Sequence, residues 1–172
     1  MTTLRVREGG EDLTYGYADL MAYHGFGFPG GVAHGFKVLE RALPLLAGGA
    51  PPERREIHIR TAFRGPGARD AFEMVTRSLT DNRYVVDAAL ERPERGETLA
   101  RYVFELRYRA TTLRLQIRDG LVRDEFIALG RKPQRTTDEE RRLTYLKQEM
   151  AERLMSTPAA EVYDIDDQTA SR

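Results

Sequence analysis

The spacing of apolar residues changes along the chain, and each change predicts an element. Val32, Phe36, Leu39, Leu43 and Leu46 recur at three- and four-residue steps, which predicts an amphipathic helix of about four turns from Gly31 onward. Pro29 stands just ahead of it, where a proline loses nothing because its missing N–H would be unpaired anyway. Gly48, Gly49, Pro51 and Pro52 end the helix. Before this loop, residues 15–23 have helix-compatible composition and stop at Gly25. After it, residues 56–63 predict a strand and Arg64-Gly65-Pro66-Gly67 a turn. Phe72, Val75 and Leu79 then mark one face of a short helix over 68–79, and 83–90 predicts another strand.

The strongest β signal follows. Tyr102, Phe104, Leu106 and Tyr108 alternate with Val103, Glu105, Arg107 and Arg109, and Leu113, Leu115 and Ile117 alternate with Arg114, Gln116 and Arg118. Such alternation gives one buried and one wet face, as in an antiparallel sheet. The arginines at 101, 107, 109, 114, 118 and 123 are interspersed with acids and read as a solvated sheet face. Thr137 and Glu140 have capping-box spacing at the start of a last helix, with Leu143, Leu146, Met150 and Leu154 as its stripe. Strands in runs with helices set apart argue an α+β fold, an antiparallel sheet packed by several helices in a single domain. Polar residues 1–13, with Gly9-Gly10, are expected to form a flexible N-terminal arm, 14–165 the domain, and 166–172 a disordered tail.

Composition narrows the chemistry. Lys+Arg and Asp+Glu both number 27, so no basic excess favours nucleic acid or an acidic membrane surface, and neither partner is expected. Without cysteine, there is no thiolate nucleophile, disulfide or sulfur-ligated metal. No apolar leader and no run of about 18 apolar residues occur, which points to the cytoplasm.

Two glycine-rich turns carry the candidate site. The first is His24-Gly25-Phe26-Gly27-Phe28-Pro29-Gly30-Gly31, with His34 one turn on. Glycines at a helix start allow close backbone approach, and the unpaired N–H groups there suit an anion. Tyr23, Phe26, Gly27, Phe28, Gly30, Gly31 and His34 are therefore candidate ligand contacts, with Arg64 and Arg69 of the second turn. Asp70, in the first turn of its helix, is placed to orient His24 or a ligand. A glycine–proline turn that merely shapes the loop explains the first motif equally well, and the helix dipole alone explains Asp70. His24, His34 and His58 lack any metal-binding spacing, and neither metal nor cofactor is expected.

The order of these motifs resembles the formylmethanofuran dehydrogenase E-like domain family. Its signature, His-Gly-His-x-Cys-Pro-Gly, corresponds to His24–Gly30, and its second, near Cys-x-x-Asp-Ala, to Gly67-Ala68-Arg69-Asp70-Ala71, then Thr76-Arg77-Ser78-Leu79. The tail Arg131-Lys132-Pro133 and Pro158–Tyr163 is also similar, so the likeness spans about residues 15–165. Here Phe26 replaces the second histidine, and Phe28, Gly67 and Ser78 replace cysteines, which excludes the family's thiolate metal site. The resemblance implies a homodimer and a pocket between loop 24–31 and turn 64–70. The reading that follows is a small-ligand-binding or accessory protein with a degenerate metal site. In that reading Phe26 and Phe28 form an apolar wall and His24 is the polar contact. The alternatives are an acid–base enzyme with catalytic His24 and Asp70, a histidine-only metal or haem protein, and a structural partner protein docking through Leu143–Leu154.

Overall fold

The computed structural model describes residues 2–166. They form, in chain order, β1 (Leu4–Glu8), β2 (Glu11–Tyr15), α1 (Tyr17–His24), α2 (Pro29–Leu46), β3 (Ile57–Thr61), α3 (Pro66–Thr76), β4 (Tyr84–Val86) and α4 (Gly96–Leu99). β5 (Val103–Tyr108), β6 (Thr111–Ile117), α5 (Asp124–Arg131), α6 (Thr137–Met155), α7 (Ala159–Val162) and β7 (Tyr163–Ile165) complete the set. The architecture is α+β, as the alternating pattern implies. One five-stranded sheet has the order β4-β3-β5-β6-β7, and β1 and β2 make a separate hairpin. Tyr102, Phe104, Leu106 and Tyr108 are buried, as expected. On the other face Glu105 meets Arg60 at 3.5 Å and Arg114 at 2.7 Å, so the arginines there are a paired, solvated surface.

Five expectations need correction. The sheet is mixed: β4 runs parallel to β3, because the chain reaches β4 by crossing over through α3 and not by a hairpin. The strand expected over 83–90 shortens to Tyr84–Val86 and gives way to a 3-10 turn, and α3 ends at Thr76, with Arg77 left-handed (φ 57°) and Leu79 exposed. The arm expected over 1–13 is a hairpin. Gly9 and Gly10 both have positive φ (59° and 85°), the combination a tight hairpin turn demands, and Leu4 and Val6 are buried beneath it. The capping box of α6 uses Thr136 and Glu139, one residue before the expected pair. Thr136 Oγ1 accepts from the Glu139 N–H (3.2 Å), and the Glu139 carboxylate accepts from the Thr136 N–H (2.9 Å). Both threonines precede a glutamate by three residues, so spacing alone does not choose between them. Residues 167–172 of the expected tail lie outside the described residues, while the Asp166 N–H donates to Arg114 O (2.8 Å), docking it beside β6.

The centre of the packing is α2, buried on nearly every side by the hairpin, α3, α6 and the sheet. Its crossing with α3 is unusually close. A Cβ on Gly67 would lie 2.7 Å from Val32 N and 2.8 Å from Phe28 O, both backbone atoms that cannot swing away. A Cβ on Gly35 would meet Ala71 Cβ at 2.7 Å and Ala68 Cα at 3.1 Å. Small residues on both helices therefore set the spacing. At its other end α3 is held by arginines. Arg54 Nε donates to Val75 O (2.9 Å) and Arg83 Nη2 to Thr76 O (2.9 Å), placing cations on the negative end of the helix.

This crossing yields a stability prediction. Gly67→Ala forces the helices apart and costs about 1–3 kcal/mol, roughly 3–10 °C in Tm for a chain of this size. Gly130→Ala, where an added Cβ meets nothing within 4 Å, stays within about 1 kcal/mol of the native protein or gains slightly. Thermal unfolding of the two variants checks both halves.

Candidate functional site

The glycine loop brings the end of α1 against the start of α3. His24, the last residue of α1, meets Asp70 of α3 with Nδ1 and Oδ2 2.8 Å apart. The His24 side chain is only 7% exposed, whereas Asp70 keeps 23% and also accepts from Arg69 Nε (3.2 Å). The two residues read as a possible pair from sequence are thus in direct contact. Nδ1 is engaged, and Nε2 is left for another group.

Beside this pair lies a cavity of about 310 Å³. Its floor and back wall come from Gly30, Gly31 and His34 of α2 and from the β3–α3 connection, Phe63 to Gly67. That connection is shaped by Thr61, whose Oγ1 accepts from the Phe63 N–H (3.0 Å), and by Gly65, where a Cβ would strike the Phe63 ring. The remaining walls are Glu97 and Thr98 of α4, Arg101 and Tyr102 before β5, Phe126, Ile127, Gly130 and Arg131 of α5, and Lys147 and Met150 of α6. Phe28 divides the cavity from His24, its ring centroid 5.8 Å from the imidazole. Lys147 Nζ sits 4.4 Å from the Phe28 centroid and donates to Gly27 O (3.3 Å), so α6 braces the loop. Desolvation, and then Arg135, hold the Lys147 ammonium below its usual pKa.

Of the residues expected to contact a ligand, Phe28, Gly30, Gly31, His34 and Arg64 line the cavity. Tyr23, His24, Phe26, Gly27, Arg69 and Asp70 are not among its lining residues. Phe26 in particular is no cavity wall. Gly25 turns the chain with φ 91°, and the phenyl ring stands 86% exposed. Tyr23, on the outer side of α1, is half exposed. Of the positions where the resemblance implies cysteines, Phe28 and Gly67 meet at the start of α3. Ser78 lies beyond its other end, about 15 Å away at 1.5 Å per residue, and bonds to Thr76 Oγ1 (2.9 Å). Among the described residues no three histidine or carboxylate side chains group as metal ligands, and the three histidines go separate ways. His24 pairs with Asp70, His34 with Tyr163, and His58 points outward from β3 opposite Arg107.

Sequence reasoning missed the α5 wall. The segment 119–136 has its own signals: acidic Asp124 and Glu125 in a first turn, Phe126 and Ile127 behind them, and Pro133 beyond the end. Tyr102 was legible only as a core position of the alternating run.

His34 has an unusual setting. It is fully buried against Tyr102 (centroids 4.7 Å) and Phe63 (6.0 Å), with Nδ1 2.8 Å from Tyr163 Oη. The Tyr163 hydroxyl has no other acceptor among the described residues, so it donates to Nδ1. The proton of the imidazole is then on Nε2, which has no partner among the described residues. Burial pushes the His34 pKa from 6.5 down to about 3, so the ring is neutral at pH 7. Burial also raises the Tyr102 and Tyr163 phenols.

No family model matches the chain, and no curated protein matches it in sequence. No helix among the described residues is long and apolar enough to cross a membrane.

The depressed His34 pKa has a signed consequence. The unfolded chain takes up a proton near pH 6.5 and the folded chain does not, so His34 contributes stability above 6.5 that is lost as pH falls toward 3. Between pH 7.5 and 5.5 this group alone removes about 1 kcal/mol, a window in which most carboxylates stay ionised. Urea midpoints of the native protein should fall across that window, and those of His34→Gln should fall measurably less.

Proposed function

We propose that the protein binds a small molecule in the cavity between the start of α2 and the β3–α3 turn. The cavity itself carries this reading. It is about 310 Å³ in volume and walled by Phe28, Phe63, Tyr102, Phe126, Ile127 and Met150, with a few charged groups at fixed places. Mostly apolar walls with sparse convergent polar groups are the usual make-up of ligand sites, and the volume is at the small end of their range. A compact ligand with a flat or aliphatic body fits that description. The walls also come from five separate parts of the chain, so a bound molecule would tie α5 and α6 to the α2–α3 crossing.

Filling the cavity tests it. Fragments that bind should shift the amide resonances of residues 28–31, 63–67 and 126–130 in NMR spectra. Ile127→Trp, which occupies the space without touching the α2–α3 crossing, should weaken them about tenfold or more, equal to about 1.4 kcal/mol. Fragments whose affinity this variant leaves unchanged would sink the reading.

A second reading, an acid–base enzyme, is favoured by one observation, the 2.8 Å contact of His24 Nδ1 with Asp70. A carboxylate on Nδ1 fixes the ring and its tautomer and leaves Nε2 to move a proton. In this reading a turnover activity found in the native chain drops by about 10²–10⁴ in His24→Gln, and in the same direction in Asp70→Asn. An activity that survives His24→Gln intact rules it out. The same contact supports the resemblance to the formylmethanofuran dehydrogenase E-like domain, because His24 and Asp70 are the two polar signature positions this chain retains.

A further inference from the structure

The first turns of α2 and α3 meet at the cavity. A Cβ on Gly31 would be 3.2 Å from Gly67 Cα and 3.4 Å from Gly67 N, so the two helix starts are in van der Waals contact. Both helices are long enough to carry a dipole, with 18 and 11 residues. Each opens with a proline, and neither has a side-chain cap or an acidic residue in its first turn: α3 begins at Pro66, two residues earlier than expected, so Asp70 is its fifth residue and not a first-turn one. The earliest N–H groups to find helical partners are those of Val32, on Phe28 O (3.2 Å), and Arg69, on Gly65 O (3.3 Å). The N–H groups of Gly30, Gly31, Gly67 and Ala68 precede them and have no intrahelical acceptor. Two positive helix ends are therefore pressed together with no protein carboxylate between them.

A second, independent feature points to the same place. His34 follows Gly30 and Gly31 by four and three residues, so it shares their face of α2, and helical side chains lean back toward the N-terminus. It is fully buried, it lines the cavity, and its Nε2–H has no partner among the described residues. The charges around the opening agree in sign. Neither Arg64 nor Lys147 makes an ion pair among the described residues. Glu97, the one carboxylate of the lining, is 93% exposed and turned to Arg131 (3.6 Å).

We propose that the ligand is a small organic anion, a carboxylate or phosphate monoester with a flat apolar body. Its anionic group sits where the first turns of α2 and α3 meet, within reach of His34 Nε2–H. Arg64 and Lys147 balance its charge, and its body lies against Phe63, Tyr102, Phe126 and Ile127. This rests on the cavity being a ligand site. A neutral amide of the same shape offers one carbonyl oxygen to these N–H groups but no negative charge to the two helix ends, Arg64 and Lys147, which is the basis of the selectivity.

The test is an NMR titration of the full chain with phenylacetate, phenyl phosphate, inorganic phosphate and the neutral phenylacetamide. At least one of the two aryl anions should shift Gly30, Gly31 and Gly67 and bind about tenfold or more tightly than the amide. Whichever is tighter identifies a carboxylate or a phosphate ligand, and inorganic phosphate alone should bind weakly at the same amides. Arg64→Gln, on the surface and safe for folding, should raise the Kd of the tighter anion three- to tenfold, and His34→Gln should raise it further. Equal binding of amide and anion, or an Arg64→Gln variant of unchanged affinity, overturns the anion inference and leaves the cavity reading standing. Failure of all four probes alongside successful fragments at Phe126 and Ile127 does the same. Failure of probes and fragments together removes both.

Discussion

The close approach of α2 and α3 is the constraint on which the rest of the molecule depends. At Gly31, Gly35, Gly67, Ala68 and Ala71 the two backbones come closer than any larger side chain would permit. The spacing decides how deeply α2 can sink against the sheet, and thus whether Phe36, Phe72 and Phe104 share one core. It also brings two helix starts side by side, an arrangement that costs electrostatic energy unless something negative answers it. Packing and the shape of the cavity are linked here at the level of single methyl groups.

Around that crossing the polar groups are divided into two sets. His24 and Asp70 satisfy each other on the outer side of Phe28, where α1 ends against α3. His34 and Tyr163 satisfy each other on the inner side, except for one imidazole N–H. The two histidines of the glycine loop region therefore serve different environments, although ten residues separate them and both looked like members of one site. Phe28 is the partition, and Lys147 holds it in position from α6.

Much of the fold was legible because period and punctuation agree. The α2 stripe, the alternation at 102–117 and the α6 stripe each repeat long enough to identify their element, and the contact of His24 with Asp70 follows from two motifs read separately. The hairpin was not, because two five-residue strands with two apolar positions each, Leu4 and Val6 on one and Leu13 and Tyr15 on the other, hardly differ from a polar arm. Its glycines look the same whether they fray a chain or turn it. The parallel placement of β4 is a property of the crossover through α3, which leaves no mark on Tyr84–Val86. The cavity was half visible. Its glycine floor is local in sequence, but its walls are Tyr102, Ile127 and Lys147, which meet only through tertiary packing. The outward turn of Phe26 depends on the φ of Gly25, and spacing cannot report a dihedral angle.

The bond between His34 and Tyr163 joins positions 129 residues apart in the chain. Tyr163 is fully buried, with its ring edge-on to Phe104 at 5.6 Å, and β7 closes the sheet beside β6. The central helix therefore emerges from the ribosome well before the side chain that completes its surroundings. Until Tyr163 arrives, His34 Nδ1 lacks its partner, and the Phe63–Tyr102–Phe104 aromatic group lacks one wall. Contacts of such long sequence separation close late and slow folding. The nascent chain consequently passes through an interval in which the floor of its own cavity is unfinished.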